Sequence, residues 1–225
     1  MKNESIPQNK SMLVSDFDGT ITKFDFYDLV CQQFPDISGG YWHQYESGAL
    51  THFEALRLIF AGIRAPEEAL LDIIRRMEIE PRITDAVSRL KAQGWDVAVA
   101  SAGCDWYIRR LLAEKKVTMA VYSNPGEYFP DKGLLMRLPE PSPFLSPELG
   151  VNKVAVVRDA LNRYERVAFA GDGRPDLAPA LLVDPKRRFA KAWLAKKLHE
   201  INEPFIAFER WSDVAEHLLK EGPLS

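Results

Sequence analysis

The sequence DFDGT at residues 16–20 decides the fold, because it joins a strand to a turn and carries two acids. It closes an apolar run, MLV at residues 12–14. In a parallel α/β sheet, ligands bind at the carboxyl ends of the strands, where the connecting loops gather. Two carboxylates two residues apart on a strand point to the same side, and a turn at Gly19 can divert the second. This stretch alone favours a nucleophile with an acid/base partner and an ordinary acidic turn about equally.

The composition indicates a soluble protein with a small-molecule partner. With 225 residues and 46% hydrophobic content, the chain can form one sizeable core, or a core and an insertion. A net charge of −3 provides no basic field for nucleic acid. The first ten residues are polar and no stretch of 18 apolar residues occurs, so we expect a frayed lead and no membrane segment. Cys31 and Cys104 are too few and too far apart for a metal or redox motif, which favours packing roles and a cytoplasmic location.

Between the first strand and about residue 80, apolar residues recur at helical spacing. This spacing predicts helices over 25–34, 40–46, 51–63 and 66–77. Thr51 and Glu54 fit a capping box, and Pro66 followed by two glutamates marks another helix start. The segment is therefore predicted to be a helical insertion.

A strand–helix alternation follows and predicts a parallel sheet covered on both faces. The predicted strands, beginning with 12–17, are then 95–100, 118–122, 166–170, 188–190 and 205–207. The predicted helices cover 82–93, 104–115, 151–162, 176–182, 191–200 and 211–220. Six prolines within 125–147 exclude a long helix or central strand there, so we expect an irregular excursion with a small hairpin, lying over the sheet edge.

Polar residues stand at several predicted strand ends and helix starts, and each of them alone has an ordinary explanation. An aspartate after a strand is often a turn or helix cap, a serine such as Ser101 is often an N-cap, and Lys153 fits a solvated first-turn lysine. What is less ordinary is their order: two acids at 16 and 18, then Ser101, then Lys153, then two acids at 172 and 176.

In this order, the chain resembles the haloacid dehalogenase superfamily of phosphotransferases. The family's motifs read here as DFDGT at 16–20, Ser101 in VAVASAG, Lys153 in GVNKVAVV and GDGRPD at 171–176. The resemblance implies a Rossmann-like core formed by residues 1–22 and 81–225. It also explains the helical insertion as a cap of the C1 type, covering residues 23–80 between the first and second motifs.

The chemistry of this acid cluster requires a cation. At an effective dielectric near 20, two unit charges about 4 Å apart repel by roughly 4 kcal/mol, so four carboxylates and a phosphate dianion cannot converge unaided. Hard oxygen ligands suit Mg²⁺. The resemblance implies that Asp16 is the nucleophile, that Asp18 is the acid/base, and that Lys153, with Ser101, Ala102 and Gly103, binds the phosphoryl group. It further implies a metal site made of Asp16, the Asp18 backbone carbonyl, Asp172 and the supporting Asp176.

The resemblance also suggests a substrate class through the cap. Phosphoserine phosphatases use a glutamate after the first motif and a cap arginine to bind their substrate, and alignment places Asp25 and Phe60 at those positions. Arg57 or Arg64 would replace the arginine if the helix register differs. Together with the run IFAGI at 59–63, the pattern is more similar to the methionine-salvage phosphatases, which act on 2-hydroxy-3-keto-5-methylthiopentenyl-1-phosphate. A phosphoserine phosphatase, a phosphomutase and a non-catalytic phosphate sensor remain alternatives, and the oligomeric state is undetermined.

Two further expectations concern residues outside these motifs. If position 102 needs a positive φ, Ala102 costs about 1 kcal/mol where relatives have glycine. The histidines at 43, 52, 199 and 217 show no ligand spacing, and a solvated basic face is expected from the cations at 186, 187, 188, 191, 196 and 197.

Overall fold

A six-stranded parallel sheet forms the centre of the molecule. The computed structural model describes residues 10–222, and the predicted N-terminal lead lies, except for Lys10, outside them. The sheet order is β10-β9-β8-β1-β2-β3, with every pairing parallel. Its strands are β1 Ser11–Ser15, β2 Trp95–Cys104, β3 Ala120–Asn124, β8 Arg166–Gly171, β9 Arg188–Ala190 and β10 Ile206–Ala207. The prediction of an α/β fold with a Rossmann-like parallel sheet is confirmed.

Strand β1 lies at the middle of the sheet, between β2 and β8. Ser15, its last residue, is in register with Val99 of β2 and Ala170 of β8. Both faces of β1 are covered, and Leu13 and Val14 are fully buried. This register brings the residues that follow β1 and β8 to the edge where β2 reaches position 101.

Four helices follow β1 and form the predicted insertion: α1 Phe26–Gln33, α2 Tyr41–Glu46, α3 His52–Ala61 and α4 Glu67–Arg76. Thr51 and Glu54 form the predicted capping box, with Glu54 N to Thr51 Oγ1 at 3.1 Å and Thr51 N to Glu54 Oε2 at 2.9 Å. An antiparallel bridge between Thr22 and Ile79 joins the two ends of the insertion. The division into a cap at 23–80 and a core remains a proposal.

The remaining helices cover the faces of the sheet. They are α5 Ile83–Ala92, α6 Asp105–Glu114, α7 Lys153–Arg163, α8 Leu177–Ala180, α9 Ala192–Glu200 and α10 Trp211–Leu219. One buried apolar cluster runs from the sheet into the insertion, since it contains Leu13 and Trp211 as well as Ile59 and Ile74. A second cluster, around Phe169 and Val157, lies on the other face.

The proline-rich segment forms the expected hairpin, β4 Gly126–Phe129 with β5 Gly133–Met136, and a second short pair, β6 Leu145–Ser146 with β7 Gly150–Val151. It does more than cover the sheet edge, because it also contacts α3 and the residues after it. Tyr128 Oη donates to the Ala65 carbonyl at 2.6 Å, and the amide of Phe53 donates to the carbonyl of Glu148 at 2.9 Å.

The expected solvated basic face is wrong in part. Arg188 is only 3% exposed, because its guanidinium donates to the carbonyls of Ala180 and Pro204 and to Glu203 Oε2. Lys191 lies beside Thr20 and Asp172, as described below. No helix in the range 10–222 is long and apolar enough to cross a bilayer.

Candidate active site

The candidate site lies at the carboxyl ends of β1, β2 and β8. Residues 16–20 leave β1, residues 101–103 end β2, and residues 172–176 follow β8, while α7 begins at Lys153. The structure brings these four motifs together around one cavity, as the order of the motifs suggested.

Lys153 links two buried carboxylates. Its ammonium Nζ lies 2.8 Å from Asp16 Oδ1 and 2.7 Å from Asp176 Oδ1, and all three side chains are nearly inaccessible to water. Burial by itself disfavours the charged ammonium, but the two carboxylates outweigh it and raise the pKa of Lys153. Burial, followed by the charge of Asp176, raises the pKa of Asp16 well above its usual range despite Lys153. At the Asp16 carboxyl, burial and the neighbouring acids therefore outweigh the charge of Lys153.

Asp176 fixes the loop more than it faces the cavity. Its Oδ2 accepts the amides of Asp172 at 3.1 Å and Gly173 at 2.9 Å, while its Oδ1 is taken by Lys153. A carboxylate so fully occupied holds the residues that carry Asp172 in place. This agrees with the supporting role expected for Asp176.

Asp172 is the acid of this loop that reaches toward the first motif. Thr20 Oγ1 donates to its Oδ1 at 2.5 Å, and a Cβ on Gly19, whose φ is +68°, would lie 2.6 Å from its Oδ2. Position 19 therefore needs glycine both for its backbone angle and for the approach of Asp172. Burial and the charge of Asp176 raise the pKa of Asp172 to about 6.

The acids fit a metal ion. One carboxylate oxygen from each of Asp16, Asp172 and Asp176 lies within 4.8 Å of the other two. Burial first, and the charge of Asp176 second, raise the pKa values of Asp16 and Asp172. An all-oxygen donor set with an excess of negative charge suits a hard divalent cation.

Asp18 lies apart from that triad, in a different set of hydrogen bonds. Its Oδ2 accepts Tyr107 Oη at 2.8 Å and Ser101 Oγ at 3.2 Å, and its Oδ1 accepts the Phe26 amide at 3.3 Å. Burial, opposed by these hydrogen bonds, raises the pKa of Asp18. A carboxyl with a raised pKa in a cavity is suited to donate and accept protons.

Tyr107 was missed by sequence reasoning, although it donates the shortest hydrogen bond to Asp18. It lies in the first turn of α6, directly after the strand that carries Ser101, and it is buried. A Cβ on Gly103 would overlap the Tyr107 hydroxyl and lie 2.7 Å from Asp18 Oδ2, so glycine is required there. Its position in the first turn of the helix that follows the Ser101 strand is the sequence feature that could have indicated it.

The end of β2 offers polar groups to the cavity. Ser101, Ala102 and Gly103 line it, and the Gly103 amide donates to Ser101 Oγ at 3.0 Å. Ala102 is absent from the described non-glycine residues with positive φ, so the expected backbone cost does not arise. Cys104, the last residue of β2, is fully buried, and burial raises its pKa to about 12, which fits the expected packing role.

The cavity has a volume of about 320 Å³ and is walled by both the core and the insertion. Asp25 and Phe60 line it, at the positions expected from the cap alignment. Asp25 also caps α1, because its Oδ1 accepts the Tyr27 amide at 2.6 Å. Arg57 and Arg64 do not line it; Arg64 instead donates to the Ala61 carbonyl at 2.6 Å.

Aromatic side chains form the insertion's part of the wall. The rings of Tyr27 and Trp42 are stacked with centroids 4.5 Å apart, and Tyr45 meets Trp42 edge-on at 5.1 Å. His52 contacts both Trp42 and Tyr45, and its Nδ1 is buried without a hydrogen-bond partner. Burial, with a smaller contribution from the charge of Lys153, lowers the pKa of His52 to about 4.

Lys191 is a second residue that the sequence did not indicate. Its Nζ lies 3.4 Å from the Thr20 carbonyl, and its backbone amide donates to the Gly171 carbonyl at 3.2 Å. It lies near the metal triad, where its charge opposes the rise in the pKa of Asp172. The basic run at 186–191 hid it, because a run of cations usually indicates a solvated surface.

Comparison with known proteins agrees with this geometry. The profile of the haloacid dehalogenase-like hydrolases matches residues 13–180. A 2-hydroxy-3-keto-5-methylthiopentenyl-1-phosphate phosphatase of Brevibacillus brevis is 26% identical over 212 residues, which are 91% of this chain and 93% of that protein. The bifunctional enzyme MtnB/MtnX of Bacillus licheniformis is 25% identical over 214 residues, and this chain spans 48% of its length.

Solved structures share the fold at low sequence identity. A haloacid dehalogenase family hydrolase of Salmonella enterica serovar Typhi superposes with a TM-score of 0.66 and 18% identity, covering 89% of this chain and 67% of that one. A substrate-bound phosphoserine phosphatase gives 0.63 and 15%, covering 95% and 99% of the two chains. These likenesses extend over both the sheet and the helical insertion.

Proposed function

The chain belongs to the haloacid dehalogenase-like hydrolases, and from this premise we propose that it is a Mg²⁺-dependent phosphatase of a small phosphomonoester, acting through an aspartyl-phosphate. The observation that carries the proposal is the separation of two carboxylates in one cavity. Asp16 lies against Lys153 in the acidic triad, and Asp18 lies against Tyr107 and Ser101. Two acids in different surroundings support different roles.

In the first step, an oxygen of the Asp16 carboxylate attacks phosphorus, and the bond from phosphorus to the leaving-group oxygen breaks. The Asp18 carboxyl gives its proton to that oxygen. Asp18, now a carboxylate, takes a proton from water, whose oxygen attacks phosphorus and breaks the bond to Asp16. The hydroxyl of Ser101, the amide of Ala102 and Lys153 stabilise the phosphoryl oxygens, since these residues line the same cavity. Gly103, which also lines it, takes part through its amide, which donates to Ser101 Oγ and orients that hydroxyl.

Asp16, Asp172 and the backbone carbonyl of Asp18 would hold Mg²⁺, with Asp176 supporting them. The ion neutralises the acids and the phosphate dianion when bound. The chain's own contribution is to bring these carboxylates together at the cost of raised pKa values for Asp16 and Asp172. Thr20 orients Asp172 for this role through its 2.5 Å hydrogen bond.

For the substrate, we propose an enol or sugar-like phosphate with an apolar tail, of the kind named for the relatives in methionine salvage. Among the described residues, the cavity wall supplied by the insertion includes no arginine or lysine. A phosphoserine carboxylate placed against that wall would therefore have no cationic partner, which costs several kcal/mol, because the lysine and arginine that line the cavity, Lys153 and Arg174, belong to the other side. Phosphoserine phosphatase activity remains the second candidate because solved enzymes of that kind share the fold.

The proposed setting is the cytoplasm, where reducing conditions keep Cys31 and Cys104 as free thiols. We propose that residues 23–80 form a cap and that the rest of the chain forms the core. Because residues of the cap form part of the cavity wall, we propose that the cap binds the substrate. Asp25 and Phe60 line the cavity, and we propose that they contact the substrate. They align with the glutamate and the arginine that bind the substrate in phosphoserine phosphatases.

The proposal is tested by release of inorganic phosphate from 4-nitrophenyl phosphate with Mg²⁺ and with excess chelator. We expect turnover that stops on chelation. Binding of phosphate esters without turnover would instead indicate a sensor, and transfer to a second substrate hydroxyl without phosphate release would indicate a mutase.

The substrate class is tested separately with phosphoserine and 2-hydroxy-3-keto-5-methylthiopentenyl-1-phosphate. We expect kcat/KM for phosphoserine to be well below kcat/KM for the second compound. Phe60→Arg should reduce this difference, because the arginine supplies a partner for the phosphoserine carboxylate. Phe60→Leu is the matched control, since it keeps the wall apolar. A wild-type preference for phosphoserine would contradict the substrate assignment and leave the phosphatase assignment intact.

A further inference from the structure

Four half-buried rings of the insertion enclose one end of the cavity: those of Tyr27, Trp42, Tyr45 and His52. His52 meets Trp42 and Tyr45 at steep angles, 72° and 81°, with centroids 5.7 and 5.3 Å away. Trp42 is held in turn by stacking on Tyr27 at 4.5 Å. These contacts fix the rings relative to one another, so the enclosure exists before a ligand arrives.

The imidazole of His52 has a polar atom that the protein does not use. Its Nδ1 is sealed and has no hydrogen-bond partner within the described residues, so it is closed to a ligand as it is to water. Nε2 is not among the described buried atoms that lack a partner, and no described residue hydrogen-bonds it, so Nε2 is the nitrogen that a ligand in the cavity can meet. With its lowered pKa, the ring is neutral at physiological pH, and Nε2 is a donor or an acceptor according to the tautomer.

The position of His52 is fixed from outside the insertion. It is the first residue of α3, and its backbone amide donates to Glu148 Oε1 at 3.2 Å, while the next amide, that of Phe53, donates to the Glu148 carbonyl at 2.9 Å. Glu148 belongs to the excursion between β6 and β7. Glu148 thus anchors the start of the helix that carries the His52 ring.

We propose that these four rings form the leaving-group subsite, in which His52 hydrogen-bonds an uncharged oxygen of the substrate while the aromatic rings enclose its apolar or thioether end. The inference rests on the proposed phosphatase function and adds to it the residues that read the leaving group. The phosphate is held at the core end of the cavity by Ser101 and Lys153, so the leaving group extends toward the insertion. Aromatic faces make favourable contacts with both hydrocarbon and sulfur.

The chemistry of this subsite selects against negative charge, because Asp25 and Glu46 of the insertion line the same cavity. A neutral imidazole pairs with a carbonyl or hydroxyl as donor or acceptor, but it does not supply the full charge that a carboxylate needs. A substrate with a carbonyl next to the phosphate-bearing carbon and a short apolar chain fits these groups. A substrate that lacks the carbonyl leaves the imidazole unpaired in the closed complex.

The test compares 2-oxopentyl phosphate with pentyl phosphate, which differ only by the carbonyl. In the wild-type protein we expect kcat/KM for the oxo compound to be higher by roughly tenfold or more, because the unpaired imidazole penalises the other compound. His52→Leu should abolish this ratio, by lowering kcat/KM for the oxo compound and by relieving the penalty on pentyl phosphate. His52→Asn, which keeps a donor and an acceptor, should restore part of the ratio.

His43→Leu is the matched control, because His43 is an exposed histidine of α2 outside the cavity wall. The rings are tested by Trp42→Ala, which should lower the ratio of kcat/KM for pentyl phosphate to that for methyl phosphate. An unchanged oxo-to-pentyl ratio in His52→Leu, or an equal loss for both compounds, would overturn the role of His52. If the wild-type protein releases phosphate from 4-nitrophenyl phosphate but hydrolyses neither compound, this inference fails and the phosphatase proposal stands. If it hydrolyses none of the three, both fail.

Discussion

Asp16 and Asp18 carry the same side chain, so their different proposed roles, nucleophile and acid/base, must come from their surroundings. Asp16 shares Lys153 with Asp176 and faces the acidic triad, where a cation favours the carboxylate form. Asp18 accepts hydrogen bonds from two hydroxyls and one amide while burial raises its pKa. The strand end places both within one cavity, and the turn at Gly19 separates their partners.

Metal affinity is expected to depend on pH through Asp172. Its pKa is raised to about 6, so in the metal-free protein it is protonated below that pH, and Mg²⁺ must displace the proton. Affinity should therefore rise with pH, by about tenfold per pH unit below 6 through Asp172, and Asp16, whose pKa is also raised, can only add to this slope. Calorimetric titration of Mg²⁺ between pH 5 and 8 measures it.

Asp172→Asn is the companion variant for that titration. The amide has no proton to lose in this range, so the variant should bind Mg²⁺ more weakly at pH 7 and lose most of the slope. A wild-type affinity that is flat between pH 5 and 7 would contradict the assignment of Asp172 as a metal ligand.

The residues of the motifs could be predicted from the sequence, whereas their partners could not. Ser101 and Lys153 could be identified because one stands at the end of a predicted strand and the other at the start of a predicted helix. Tyr107 and Lys191 act through contacts across 89 and 171 residues of chain, to Asp18 and Thr20, which no local pattern records. His52 was discounted for lack of ligand spacing, and its role in the wall depends on where α2 places Trp42 and Tyr45.

Helices α5 and α10 are tied together by one carboxylate. Glu216 of α10 accepts Arg89 Nη1 at 2.6 Å and Arg82 Nη2 at 2.7 Å, and these hydrogen bonds lower its pKa to about 2. A depressed folded pKa contributes stability that is present above the unfolded value, 4.5, and is lost as pH falls toward 2. Glu216→Gln should thus lower the free energy of unfolding at pH 6 more than at pH 3.

Urea unfolding of the wild-type protein and Glu216→Gln at the two pH values measures this difference. The effect should also shrink in high salt, because the pair is partly exposed. Glu209→Gln, at an exposed glutamate just before α10, is the control and should show little dependence on pH. A difference between Glu216→Gln and wild type that grows as pH falls would refute the tie.

Most helices and strands could be predicted from hydrophobic periodicity and capping residues. The differences between prediction and structure arise where long-range contacts determine the end of an element or its neighbours. The strand expected at 118–122 is Ala120–Asn124, because its end is set by the pairing of Asn124 with Cys104 across an irregularity in β2. The prolines at 125–147 predicted an irregular excursion with a small hairpin. The contacts between this excursion and α3 could not be predicted from them. Local sequence specifies an element, while long-range contacts specify where it ends and what it touches.

The insertion and the core share one apolar cluster, and we expect them to unfold together. Phe26 of α1 stacks on Tyr107 of the core at 4.4 Å and meets Phe60 of α3 at 5.0 Å, with all three rings buried. Hydrogen exchange along a urea series should show amides of α3 and β2 losing protection at the same midpoint. Phe26→Ala should lower both midpoints, with a loss of about 3–5 kcal/mol. A separate, earlier midpoint for α3 would show two independent units.

The most direct measurement of the central claim is acid-quench trapping of the phosphorylated protein during turnover. Borohydride reduces an aspartyl-phosphate to homoserine, and fragmentation of the peptide covering residues 11–23 distinguishes position 16 from position 18. We predict homoserine at 16 in the wild-type protein with Mg²⁺, and none in Asp16→Asn, which should fold but not turn over because an amide cannot attack phosphorus. Asp131→Asn, at an exposed hairpin turn, is the control. Phosphate release with no modification at 16, or modification at 18, would contradict the account.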